Sequence, residues 1–230
     1  MFRIVTYNIK AGLGMDGIRS IRRIGDVLAH LRADVICLQE VDQHIARSWL
    51  ANQPKLLGIR LDMHPVFQRN LRLDSGWYGN CILVKPPVIH CRFHQLPGGG
   101  EPRGLLEVTT SLDGSEVTIF CTHLSTEEPV RVEQALKAAE ITRSVHRPKI
   151  LCGDMNDVRG SKTLANLLSD PVLRDVALEF EQDHAATLIG PIPSRIDFIL
   201  ADLRFKVESY FVVDSNASDH RPVVADLTLA

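Results

Sequence analysis

The sequence predicts an α/β protein in which two β-sheets pack together and helices cover their outer faces. Two observations carry the expectation: about ten strand-like runs, and three or four segments with helical periodicity. That is more strand than a simple doubly wound sheet would hold. The 230 residues, 45% of them hydrophobic, suffice for a sizeable core, and a single domain over 1–230 is expected.

Taken in order, residues 2–7 ("FRIVTY") form a first strand. Ile18, Ile21, Ile24, Leu28 and Leu31 recur at helical spacing, so 17–32 is an amphipathic helix. Residues 35–38 are a short buried strand, and 44–57 are expected to form a helix around Ile45, Trp49 and Leu50. Strand-like runs follow at 61–67, 79–84, 87–95, 104–110 and 116–122. Arg69, Arg72, Trp77 and Tyr78 fall between two of these runs and are expected in one loop. The glycine-rich stretch "LPGGGEPRG" (96–104) reads as a loop rather than a linker. Residues 127–145 are helical, with Val132, Ala135, Leu136 and Ala139 on one face. A strand at 149–152 is expected to end in a sharp turn at Gly153. A short helix near 161–169 and strands at 195–200, 204–213 and 222–229 complete the chain.

The formal net charge of −2 and the 23% of charged residues argue against disorder. They also provide no basic footprint of a general nucleic-acid binder. Four of the five cysteines (Cys37, Cys81, Cys121 and Cys152) lie in apolar strand-like runs, and no CxxC pair occurs. Reduced, buried thiols in a reducing compartment are expected. "MFRIVTYNIK" lacks a signal-peptide pattern and no run approaches a membrane span, so a soluble, cytoplasmic protein is expected, most simply a monomer.

Polar residues fall at strand edges. Asn8 follows "RIVTY", Glu40 follows "VICLQ", His123 follows "VTIFCT" and Asp154 follows "KILCG". Asp197 opens "IDFIL", and Asp219 and His220 precede "RPVVADL". Each placement alone is also compatible with a turn or a cap. Together they suit a site assembled on a rigid frame. Oxygen donors from Glu40, Asp154, Asn156 and Asn8 suit a hard cation such as Mg²⁺. His123 and His220 can stabilise or protonate a developing oxyanion. A carboxylate beside His220, from Asp197 or Asp219, would fix its tautomer and raise its basicity. These are parts used to hydrolyse a phosphate ester.

"TYNI", "LQEVD", "YGNCIL", "THLS", "GDMND", "RIDFIL" and "SDHRPV" occur in this order. The set resembles the endonuclease/exonuclease/phosphatase (DNase I-like) superfamily of metal-dependent hydrolases, over about residues 2 to 228. The resemblance implies a four-layered α/β sandwich, a Mg²⁺ cofactor (Mn²⁺ as a substitute) and a phosphate-ester substrate. It implies Glu40 as the main metal ligand and Asp154 as the acid that orients or deprotonates the attacking water. Asn156 and Asn8 would hydrogen-bond around phosphate and metal, and His123 would contact the phosphate. His220 is implied beside the scissile phosphate with Asp197 behind it, and Asp219 at the metal or a metal-bound water. Lys10 departs from relatives that carry an acidic or amide side chain there, and like-charge repulsion then favours one cation over two.

Two further residues are substrate-binding candidates. Arg103 in "EPRG" can reach a phosphate with its planar fork, although a solvated arginine accounts for it equally well. Asn80 in "YGNCIL" either contacts substrate or shapes a turn after Gly79. The leading function is a Mg²⁺-dependent phosphodiesterase. A nuclease acting on DNA or RNA and a non-catalytic binding module of the same fold are the alternatives. The missing basic stripe weighs against the first, and the intact polar set weighs against the second.

Overall fold

The computed structural model describes residues 1–180, 182 and 184–229. Its strands form two six-stranded mixed sheets. In the first, β1 (Phe2–Asn8), β2 (Val35–Gln43), β3 (His64–Leu73), β4 (Gly76–Val84), β11 (Phe205–Val212) and β12 (Val223–Leu229) lie in the order β11-β12-β1-β2-β4-β3. The second holds β5 (Val88–Gln95), β6 (Gly104–Leu112), β7 (Ser115–His123), β8 (Lys149–Asp154), β9 (Leu173–Asp175) and β10 (Asp197–Asp202) in the order β5-β6-β7-β8-β10-β9.

Alternation along the strands explains the layering. In the first sheet Ile4, Val35, Cys37, Ile82 and Val84 face inward and meet Leu106, Val108, Ile119, Cys121, Ile150 and Cys152 of the second. The intervening residues Val5, Tyr7, Ile36, Leu38 and Leu83 face outward, onto helices α1 (Ile21–Leu31) and α2 (Gln53–Leu61). On the far side Leu105, Phe120, Leu151 and Phe198 pack on α3 (Glu128–Arg143) and α4 (Lys162–Leu167). Helix, sheet, sheet, helix is the expected four-layered sandwich. Cys37, Cys81, Cys121 and Cys152 are buried free thiols, and Cys91 is half-buried.

Several local expectations are corrected. The helix expected over 44–57 is a 3-10 turn at Ala46–Ser48 followed by α2, because Trp49 and Leu50 both take left-handed backbone angles. Asn52 then starts α2 by accepting from Lys55 N, with Pro54 in the first turn. Arg69 and Arg72 lie on β3, and Trp77 and Tyr78 on β4, so they form a hairpin rather than a loop. Asn80 likewise sits within β4, not in a turn. On α3, Leu136 is exposed, and the buried face is built from Gln134, Ala135, Ala138, Ala139 and Thr142. Gly153 does not turn the chain, since β8 continues to Asp154. A Cβ at Gly153 would lie 2.0 Å from the Thr122 carbonyl oxygen, so glycine is needed there for close approach to β7. The turn comes later, at Asn156 (φ 50°).

Candidate active site

Parallel pairing of β1 with β2, and of β7 with β8, brings the carboxyl ends of four central strands to one edge of the sandwich. Asn8, His123 and Asp154 are the last residues of their strands. The register sets His123 opposite Asp154, and Asp197, at the start of antiparallel β10, opposite Asp154 on its other side. Glu40 lies inside β2, not beyond it. There the pairing with β4 slips between Leu38 and Val41, so that one extra residue bulges, with Glu40 at φ 56°. A bulge bends a strand and re-aims its side chains.

These residues make one hydrogen-bonded group. The Asn8 amide nitrogen donates to Glu40 Oε1 at 2.9 Å and to Asp154 Oδ2 at 3.0 Å, which joins the two sheets. Its oxygen accepts from Lys10 N at 3.1 Å, fixing which way the amide points. Asp154 Oδ1 accepts from Asn156 N at 2.9 Å, and Asn156 Nδ2 is donated to the Leu124 carbonyl at 2.8 Å. His220 sits between two carboxylates, with Nδ1 2.8 Å from Asp197 Oδ2 and Nε2 3.7 Å from Asp154 Oδ2. His123 Nε2 is 3.5 Å from the same Asp154 oxygen. Thr187 Oγ1 anchors the start of β10 by accepting from the amides of Ile196 and Asp197, 3.1 Å each.

Burial and neighbours divide the titration of these groups. Burial lowers the imidazole pKa of His220, but the charge and hydrogen bond of Asp197, with Asp154 and Asp219, more than reverse it and hold it up at about 10. His220 is therefore a cation at neutral pH. Burial, with the charges of Arg103 and His220, pushes His123 well below its ordinary value, so it is neutral. Burial and the Asp197 charge raise the Asp154 carboxyl to about 7, against the opposing pull of His220 and Asn8. A near-neutral carboxyl beside an imidazolium suits a proton acceptor paired with a proton donor.

A cleft of about 310 Å³ opens over this group. Of the residues singled out in the sequence, Glu40, Arg103, His123, Asp154, Asn156 and His220 line it. Asn8 and Asp197 are fully buried behind them. Asp219 and Asn80 do not line the cleft. Asp219 Oδ2 is ion-paired with Lys10, and its Oδ1 accepts from Ser218 at 3.3 Å. Asn80 is buried, and its amide donates to the Gly104 carbonyl at 3.1 Å. That carbonyl also accepts from Thr122 Oγ1, so Asn80 and Thr122 fix the backbone next to Arg103.

Two more lining residues are Arg47, which carries no signal of its own in the sequence, and Tyr78, which the sequence groups with Arg69, Arg72 and Trp77. Arg47 is held by Asp42 in a two-pronged ion pair (2.9 and 2.8 Å) and lies 5.4 Å from the Tyr78 ring centre. Tyr78 itself lines the cleft. Ser218 of "SDHRPV" bonds to the Asn8 carbonyl at 2.8 Å and receives His220 N at 3.4 Å, tying the His220 segment to the end of β1. Its place at the head of that motif, beside Asp219 and His220, was a usable signal.

The donor set fits a hard divalent cation. Glu40 and Asp154 converge on one amide nitrogen, and every candidate donor on that side is oxygen or amide, with no thiol. Among the described residues, one group of side chains has the spacing of a metal site, Asp154, Asp197 and His220, with ligand atoms within 4.8 Å of one another. That trio is better understood as an imidazolium held between two acids, because a cationic ring repels a second cation.

Residues 5–220 match the model of the Endonuclease/Exonuclease/phosphatase family. The chain belongs to this family. Its members are phosphoester hydrolases, and this chain is one by membership. No curated protein matches the sequence. Among solved structures, an endonuclease/exonuclease/phosphatase from Beutenbergia cavernae is 26% identical with a TM-score of 0.83, covering 99% of this chain and 71% of its own. A mannosyl-6-phosphatase from Bacteroides thetaiotaomicron is 19% identical, TM-score 0.75, with 100% of both chains covered. The catalytic domain of human Nocturnin with bound sulfate is 20% identical, TM-score 0.78, covering 100% of this chain and 94% of its own. At these last two identities the likeness is one of fold.

Proposed function

We propose that this family member hydrolyses a phosphodiester by attack of water on phosphorus, assisted by one Mg²⁺ or Mn²⁺. The observation that carries the proposal is the Asn8 amide spanning Glu40 and Asp154 beside the His220–Asp197 pair. Glu40 would hold the cation, with Asp219 near it. When bound, the cation supplies positive charge against the phosphoryl oxygens. Asp154 orients the water and takes its proton. His220 donates a hydrogen bond or proton to the oxygen on which charge develops, and Asp197 keeps it protonated and aimed. Neutral His123, Asn156 and Arg103 contact the phosphoryl oxygens. Asn80 acts on substrate through the Gly104 backbone that carries Arg103. The Lys10 ammonium, paired with Asp219, disfavours a second cation by repulsion.

The test is turnover of bis-p-nitrophenyl phosphate by chelator-treated protein, with Mg²⁺ then titrated back. Activity should be absent in chelator and return with Mg²⁺. Glu40→Gln, in which a neutral amide replaces the anionic ligand, should lose on the order of 10³-fold or more with an unchanged circular dichroism spectrum. Near wild-type turnover of Glu40→Gln at low Mg²⁺, or of the native chain in chelator, would overturn the proposal.

A further inference from the structure

Beyond the β2 bulge that aims Glu40, the resumed register sets Asp42 directly opposite Tyr78 of β4. Arg47, on the 3-10 turn that follows β2, folds back onto both. Its Nε and Nη2 take the two oxygens of Asp42, and its guanidinium lies over the Tyr78 ring. Behind this pair, the Asp42 amide donates to Gln53 Oε1 at 2.9 Å, and Gln53 Nε2 donates to the Ala11 carbonyl at 2.9 Å. Arg19 donates to that carbonyl as well, at 2.8 Å, and to the Lys10 carbonyl at 2.9 Å. The arginine clamp is thereby fastened to the turn that follows β1.

The pair is lopsided. The Asp42 side chain is completely buried, whereas that of Arg47 is 43% exposed. A carboxylate removed from water needs a cation, and this one is met by a cation that opens onto the catalytic cleft, which Arg47 lines with Glu40, Tyr78 and Arg103. Nη1 of Arg47 has no hydrogen-bond partner among the described residues. The charge of Glu40 reaches Arg47, and the charges of Arg47 and Arg103 both reach the Tyr78 hydroxyl. Two guanidiniums therefore flank one ring, with Arg47 on the Glu40 side. The rotamer freedom that an arginine gives up on meeting a ligand has here been given up in advance.

We propose that Arg47 is a further catalytic residue, whose free guanidinium edge holds a phosphoryl oxygen on the Glu40 side of the cleft, and that Asp42 and Tyr78 are the positioning residues that aim it. The proposal rests on the phosphodiesterase function above. Attack of water adds negative charge to the phosphoryl oxygens, and a cation already fixed in place stabilises that charge without reorganising as it develops. Arg47 transfers no proton; it stays charged throughout. A lysine could not replace it, because one ammonium cannot fill the Asp42 fork, lie over the ring and still present a second edge to substrate.

Turnover of bis-p-nitrophenyl phosphate with Mg²⁺ tests the role, each variant being checked by circular dichroism. Arg47→Ala should lower kcat by about 10²-fold or more, as loss of one preorganised donor does, and Arg47→Lys should recover little of it. Added guanidinium, well below the molar range in which it unfolds proteins, should restore Arg47→Ala by about tenfold or more by occupying the Asp42 fork. It should not restore the double variant Arg47→Ala/Asp42→Asn, which lacks the fork. That double variant also leaves no buried carboxylate unpaired, so it reads the loss of Arg47 even where Arg47→Ala alone fails to fold. Near wild-type kcat in either variant would overturn the proposal, as would equal rescue of both by guanidinium or full activity in Arg47→Lys. Calorimetry with inorganic phosphate on chelator-treated protein reads the same contact without turnover, and the double variant should bind about tenfold or more weakly. Absence of wild-type turnover would overturn the phosphodiesterase function, and Arg47 would then stand or fall on phosphate binding alone; equal phosphate affinity in wild type and double variant would overturn its role whatever the turnover.

Discussion

Asp197→Asn isolates what one buried carboxylate does for His220. Asp197 is fully buried, its amide is anchored by Thr187, and its Oδ2 lies 2.8 Å from His220 Nδ1. Asparagine fills the same volume, so the fold should survive while the charge disappears. A hydrogen bond to a charged group is worth roughly 1.5–3 kcal/mol, so the maximal rate on bis-p-nitrophenyl phosphate should fall by about 10- to 10²-fold. His220→Ala, which removes the proton donor itself, should cost on the order of 10³-fold or more. The pH profile carries the sharper signature. With burial acting to lower the imidazole pKa and Asp197 the first of the groups opposing it, losing that charge should bring the alkaline limb well down from about 10. Stability follows with a definite sign. The folded value lies above the unperturbed 6.5, so the pairing stabilises fully below pH 6.5 and its contribution fades as pH rises through about 10. The melting temperatures of variant and wild type should thus differ most at low pH and converge above 10. An unmoved alkaline limb, or a rate for Asp197→Asn below that of His220→Ala, would refute the pairing.

Two other outcomes are expected. Turnover of a small diester should change less than about tenfold between roughly 50 and 200 mM salt, whereas a duplex binder that neutralises several phosphates loses about 10³-fold or more in affinity over that range; efficient, salt-sensitive nicking of plasmid that is lost in Arg69→Ala would point to a nucleic-acid grip instead. Gly153→Ala should sharply lower the melting temperature and the activity together, because the added methyl meets the Thr122 carbonyl at 2.0 Å, and a variant as stable as wild type would contradict the close β7–β8 approach.

The central strands and the polar residues at their ends are legible in the sequence because both follow from local patterning: an apolar run, then a side chain suited to chemistry. Asn8, His123 and Asp154 end their strands, and the order of the motifs is enough to name their family. What the sequence hides depends on contacts between segments. Glu40 owes its aim to an extra residue against β4, which no periodicity announces. Arg47 reaches the cleft from a 3-10 turn that replaces an expected helix. β9 is only three residues long, too short for a pattern. Asn80, which by type could touch a substrate, is instead committed to a carbonyl in the other sheet.

The strand order also sets a timetable for the chain as it leaves the ribosome. The first sheet takes β1 to β4, the chain then departs to make all six strands of the second, and it returns with β11 and β12. β12 closes against β1, with Phe2 opposite Leu227. Until residues 223–229 emerge, β1 has one strand partner and an open edge. His220, on the segment joining β11 to β12, is the last of the proposed catalytic groups to be synthesised. Asn8, Glu40, His123 and Asp154 can gather early, but the imidazolium cannot join them until that late, long-range closure. On the proposed mechanism, a nascent chain therefore lacks its proton donor for almost all of its synthesis.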